Sequence, residues 1–182
     1  MALTEARINA CADDEALFTL LSEELKSRLP GGGGDDLDAF LARLRVLPTG
    51  LRAMAAVYQL DVSMALDDLG WHFGNWHHRG YCDETLWALR ELEAEEAADI
   101  FEQAYALAQR HWDTIGERLA AFGDFDDFVE WYSGSDLEKA LEPLNEWMWN
   151  LCERADIRNE GLLRYWARYA RKYPHKVTQM VS

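Results

Sequence analysis

The chain has 182 residues, 49% of them apolar and 12% aromatic with eight Trp, which is enough for a buried core and too hydrophobic for a disordered acidic tail. Its formal net charge is −15 and its pI is near 4.6. That balance argues against direct binding to nucleic acid, which needs Lys and Arg to displace counterions, and against anionic membrane surfaces.

The opening residues, Met1-Ala-Leu-Thr-Glu-Ala-Arg7, carry an acid where a secretory leader is positive. No run approaches the roughly 18 apolar residues of a membrane span, so the expectation is a cytoplasmic protein. Cys11, Cys82 and Cys152 are far apart and form no C-x-x-C; they read as free buried thiols. Over residues 13–29, Leu17, Leu20, Leu21 and Leu25 fall on one helix face. Pro30 and Gly31 to Gly34 stop that helix in an internal loop. Asp35-Asp36 opens a short helix through Val46, and Pro48 begins a run to about Trp76 in which Gly70 and Gly74 are the places to bend or break.

Asp83 can cap a helix from Glu84 to about Leu92, followed by helices over about 94–109, 111–122 and 124–132. Ser135-Asp-Leu-Glu138 is a capping box, and Pro143 suits the first turn of the helix after it. Asn159 can cap the last helix, which Pro174 stops near Tyr173. With no alternating strand pattern and no repeat, the expected architecture is an all-α, single-domain helical bundle with short connections over residues 1–182.

Charge is distributed unevenly. Between Asp83 and Glu146 there are 18 Asp/Glu against four bases, a net of −14; residues 1–82 give −5 and residues 147–182 give +4. Like charge at this density repels itself, and its plausible use is to attract something positive. On a helical wheel Glu95, Asp99 and Glu102 form one row opposite a stripe of Ala97, Ile100, Phe101, Ala104 and Ala108. One helical turn separates such carboxylates by about 5.4 Å along the axis. Phosphates of one DNA strand advance roughly 3.4 Å axially but also wind, so their through-space spacing is comparable. The alternative is a solvated face that keeps the protein soluble. In the last helix Arg164, Arg168, Arg171 and Lys172 lie opposite Leu162, Trp166, Tyr169 and Tyr173, a basic surface that can pair with acidic neighbours or sit at a dimer contact.

The densest local constellation is Asp67-Asp-Leu-Gly-Trp-His-Phe-Gly-Asn-Trp-His-His78. Asp68 and His72 are four apart and could share a helix face as an acid–base pair or as metal ligands. His77 and His78 are adjacent and point different ways. There is no H-E-x-x-H, no G-x-S-x-G and no G-K-[ST] after the glycine loop, so no catalytic residue, metal ligand or cofactor is assigned.

Residues 45–175 resemble the DNA-mimic-like family of small acidic helical bacterial proteins. The resemblance rests on Gly70-Trp-His-Phe-Gly-Asn-Trp76 after a helix, Leu-Arg-Glu-Leu-Glu-Ala (89–94), an acidic Ala-rich helix (95–107) and a closing Tyr-Pro-His (173–175). Asp68-Leu-Gly-Trp71 and Phe73 stand where the family has Asn-Gly-Gly, an aromatic and Gln. The resemblance implies an all-α protein, one that can pair as a homodimer, whose acidic surface imitates duplex DNA and occupies a basic DNA-binding protein. From wheel position and clustering, the partner-facing acids are expected to be Glu91, Glu95, Asp99, Glu102, Asp124, Asp126, Asp127 and Glu130. The alternatives are an immunity protein against a basic nuclease toxin, and a metal-dependent enzyme built on His72, His77 and His78.

Overall fold

A computed structural model describes residues 3–29, 36–120, 125–153 and 161–179. Among these the helices in chain order are α1 (Glu5–Ala10), α2 (Asp14–Arg28), α3 (Leu37–Arg45), α4 (Thr49–Leu66), α5 (Leu69–Asn75) and α6 (Arg79–Glu91). There follow α7 (Glu95–Gln109), α8 (Trp112–Ala120), α9 (Phe125–Tyr132), α10 (Asp136–Glu153), a 3-10 turn (Gly161–Leu163), α11 (Arg164–Lys172) and α12 (Pro174–Thr178). No strand occurs among the described residues, so the fold is all-α.

Helix starts are written in short polar side chains three residues ahead of a free N–H. Asp13, Asp36 and Asp68 accept from Ala16, Ala39 and Trp71 N–H at 2.8, 2.9 and 2.8 Å. Each such cap contributes about 1 kcal/mol. Half of the expected capping box forms: Ser135 Oγ accepts from Glu138 N–H at 3.0 Å, but the Glu138 carboxylate reaches past the cap to Gly134 N–H, and Ser135 N–H donates to the Tyr132 carbonyl at 2.9 Å.

Helix α4 buries residues on nearly every side, among them Leu51, Met54, Ala56, Val57 and Leu60. A helix that apolar belongs in the middle of a fold. It packs on α6, α5, α3, α12 and the 3-10 turn; α6 packs on α7, α7 on α10, and α10 returns to α5 and the 3-10 turn. The acidic helix α7 is thereby held between α6 and α10, with Ala97, Ile100, Phe101, Ala104 and Ala108 buried as the wheel requires.

Several expectations are corrected. The run from Pro48 breaks at Asp67-Asp68, where Asp68 restarts the chain as a cap, and not at its glycines. Gly70 and Gly74 are instead packing seats, one turn apart on α5, for Tyr132 and Phe128, one turn apart on α9 and stacked on each other. A Cβ on Gly74 would lie 2.6 Å from the Phe128 ring, and one on Gly70 would lie 2.1 Å from Tyr132 Cζ and 2.2 Å from its hydroxyl oxygen. Helix α6 starts at Arg79, capped by the His78 imidazole (3.1 Å from Tyr81 N–H), so Asp83 lies inside it and not at its cap. Pro143 sits within the continuous helix α10, on its exposed side, where losing one backbone donor is tolerated. Pro174 ends α11 by opening α12 at its first position. Helix α1 has no counterpart in the sequence reading. Pro30, Gly31 to Gly34, Asp35 and Asn159 lie outside the described residues. Of the three free cysteines Cys82 is buried, while Cys11 and Cys152 are half-buried.

Candidate functional site

The acids of the 83–146 segment divide into those used internally and those presented to solvent. Glu84 is buried, its side chain 3% exposed, and is held by Arg52 through two hydrogen bonds and by Arg45 at 3.4 Å. Arg52 in turn lies 4.1 Å over the Trp87 ring. Glu91 faces Lys176 at 2.8 Å and accepts from the Tyr169 hydroxyl, whose pKa is raised by burial and then by that carboxylate. Glu93, at a positive φ of 57°, collects Lys172 at 2.7 Å, the Tyr173 hydroxyl at 2.7 Å and Arg168 at 3.8 Å. The bonds from Lys172 and Tyr173 hold the Glu93 carboxyl below the usual range, and Glu93 raises Lys172. Arg168 and Lys172 of α11 and Lys176 of α12 therefore neutralise the chain at the C-terminal end of α6, while Arg171 pairs with Asp14 of α2 at 2.7 Å and Arg164 donates to the Leu151 carbonyl at 2.9 Å.

The row on α7 behaves differently. Glu95, Asp99 and Glu102 keep side-chain exposures of 65%, 64% and 57%, and all three converge on Arg90 of α6, at 3.4, 3.7 and 2.9 Å. Three carboxylates share one guanidinium, so this exposed face retains a net negative charge. Exposed pairs of this kind contribute about 1 kcal/mol or less to stability, which leaves the row little structural purpose.

Three of the remaining expected residues, Asp126, Asp127 and Glu130, lie on α9, whose neighbours are α8 and α5. Asp126 and Glu130 are exposed; Asp127 is half-buried, 3.6 Å from Arg118 of α8. Asp124 lies outside the described residues. Glu95, Asp99 and Glu102 are thus gathered at one place, Glu91 belongs to a basic neighbourhood, and Asp126, Asp127 and Glu130 occupy another helix.

The Trp/His segment is dismantled by the fold. Asp68 is the cap of α5, and its second oxygen accepts from the Tyr132 hydroxyl at 2.9 Å and Asn145 Nδ2 at 3.3 Å, so it does not orient His72. Asn145 Oδ1 completes the network by accepting from Leu69 N–H at 3.1 Å. His72 is fully buried against Phe73 and Phe101, with Nδ1 3.1 Å from Ser63 Oγ; burial lowers its pKa to about 3, so the ring is neutral. His77 stacks 4.2 Å from Trp112 and bonds its carbonyl at 2.9 Å. His78 faces Asp38 at 3.1 Å. The three imidazoles go to three places, and the described residues contain no group of three His, Cys, Asp or Glu set to hold a metal.

Sequence reasoning passed over the groove between α7 and α10. It measures about 310 Å³ and is lined by Glu96, Asp99, Ile100, Gln103, Trp147 and Asn150. Trp147 is 56% exposed. Its signal was partial: on the helical wheel Trp147 lies at the edge of the apolar stripe, between Leu144 and Leu151 on one side and Pro143, Glu146 and Asn150 on the other. A larger groove, about 600 Å³ between α2, α4 and Trp166, is mostly apolar and contains none of the α7 acids.

The family model described as DMP19-like protein matches residues 45–172, well over half of the chain. The chain belongs to the DMP19-like protein family. The matched stretch runs from the end of α3 through α11, and so includes α4, the Arg90 cluster, the α7–α10 groove and all eight expected acids. No curated protein and no solved structure matches the chain. No helix among the described residues is long and apolar enough to cross a membrane.

Proposed function

We propose that this member of the DMP19-like family is a non-enzymatic acidic binding protein, a DNA mimic that occupies a basic DNA-binding protein. The observation that carries the reading is the exposed carboxylate row of Glu95, Asp99 and Glu102 on a helix fixed between two others, with Arg90 as their one shared cation among the described residues. A rigid scaffold presents the charges without the ordering cost a disordered acidic tail would incur. Opposite charge on the partner steers association and makes it salt-sensitive.

The test is affinity capture from a nuclease-treated bacterial lysate, comparing the native protein with the Glu95→Gln, Asp99→Asn, Glu102→Gln triple variant at low and high salt. The reading expects a basic DNA-binding protein that is lost in the variant and at high salt. Recovery of the same proteins by both forms would return the row to a solubility role.

A further inference from the structure

We propose that the groove of about 600 Å³ between α2 and α4 binds an uncharged, mainly apolar small molecule whose single oxygen acceptor receives the Trp166 indole N–H. The groove lies apart from the α7 row, so this inference does not depend on the acidic-face reading. Leu25 of α2, Phe40 of α3 and Trp166 of α11 are buried and supply its apolar floor. Phe18 of α2 and Tyr58 of α4 stand beside the indole, at ring-centroid distances of 5.4 and 6.3 Å. Glu23 and Lys26 are exposed at the rim. Aromatic walls, few polar groups and this volume are the features of a small-molecule site.

Two observations choose the occupant. The first is the indole nitrogen: Trp166 is 2% exposed, and its Nε1–H finds no acceptor among the described residues. Comparable buried donors are matched; the Tyr81 hydroxyl donates to the Ala56 carbonyl at 2.9 Å and the Tyr132 hydroxyl to Asp68 at 2.9 Å. A buried donor left unpaired is costly, and an acceptor oxygen brought by a ligand removes the cost. The N–H is itself out of contact with solvent, so the ligand reaches it when the Tyr58 or Phe18 ring turns aside. Tyr58 is 43% exposed and Phe18 half-buried, so neither ring is locked in the core. The second observation is charge. The lining contains one acid and one base, Glu23 and Lys26, which together offer an ion no net attraction. A chain of net charge −15 repels an anion, and an unpaired N–H beside Lys26 disfavours a cation.

The experiment uses two uncharged probes on the full chain at neutral pH, measured by calorimetry: propionyl-dimethylaminonaphthalene, an aromatic ketone, and its propyl analogue, in which CH₂ replaces the carbonyl. The ketone should bind about tenfold more tightly than the analogue, although the analogue is the more apolar of the two. Trp166→Phe keeps a ring and removes the N–H, and it should erase that preference. Because Trp166 is buried, two measurements do not rely on this variant folding. Ser22→Trp, at a half-buried wall position of the groove, should abolish binding of both probes. In the unmodified protein the Trp166 indole N–H resonance should move downfield with the ketone and not with the analogue. Equal affinity for the two probes, or an unmoved Trp166 resonance at saturation with the ketone, would overturn the hydrogen bond at Trp166. Absence of binding, or binding untouched by Ser22→Trp, would overturn the groove as the site.

Discussion

Arg90 donates to Glu102 across 2.9 Å, joining the last turn of α6 to the exposed face of α7, and the same guanidinium also serves Glu95 and Asp99. If the row exists to bind a cation from elsewhere, Arg90 is an internal competitor for it. Arg90→Gln should then tighten binding of a basic partner several-fold and steepen its salt dependence. Its effect on thermal stability should be small, about 1 kcal/mol or less, because every member of the cluster is exposed. Loss of stability with unchanged binding would mean that the acids serve to hold Arg90. Titration of the partner against both forms at two salt concentrations makes the distinction.

Asp68 is the most consequential carboxylate inside the molecule. Asp68→Ala removes the α5 cap and leaves Tyr132 and Asn145 with buried donors and no acceptor. The expected cost is about 3–4 kcal/mol. Denaturant unfolding should show it as a lower midpoint with an unchanged slope.

Gly74→Ala and Gly70→Ala place a methyl against the Phe128 and Tyr132 rings. Each should destabilise by about 3 kcal/mol or more, whereas Ala at an exposed helical glycine would stabilise. Restoration of stability by pairing Gly74→Ala with Phe128→Leu would confirm that the ring is the obstacle.

His72 makes stability depend on pH. Its folded pKa, about 3, lies below the ordinary 6.5 because burial disfavours the imidazolium. Between those values the unfolded chain binds a proton that the folded chain does not. The contribution is therefore complete above pH 6.5 and is lost as pH falls toward 3. By pH 5 the loss is about 2 kcal/mol. His72→Leu should remove that slope, so the difference in unfolding free energy between variant and native protein should change in favour of the variant on going from pH 7 to pH 5. A pH-independent difference would contradict the neutral buried ring.

Helix content and the acid row were legible because both depend on local spacing. Caps such as Asp13 and Asp36 and the wheel position of Glu95, Asp99 and Glu102 need no tertiary knowledge. What escaped depends on partners distant in the chain. Gly70 looks like a helix breaker until Tyr132, 62 positions away in sequence, is seen to fill the space above it. Glu91 looks like a surface acid until α12 brings Lys176 to it. Asp68 and His72 look like a pair until α9 and α10 claim the first and Ser63 the second. Trp147, at the edge of the apolar stripe of α10, is ambiguous in sequence, and the packing of α10 on α7 leaves it exposed.

The most direct test of mimicry is competition. The captured DNA-binding protein is loaded with a labelled duplex, and fluorescence anisotropy follows the duplex as this protein is added. The account predicts stoichiometric release of the duplex by the native protein and none by the Glu95→Gln, Asp99→Asn, Glu102→Gln variant. A ternary complex in which the duplex stays bound while this protein joins it would contradict the claim that its acidic face stands in for DNA.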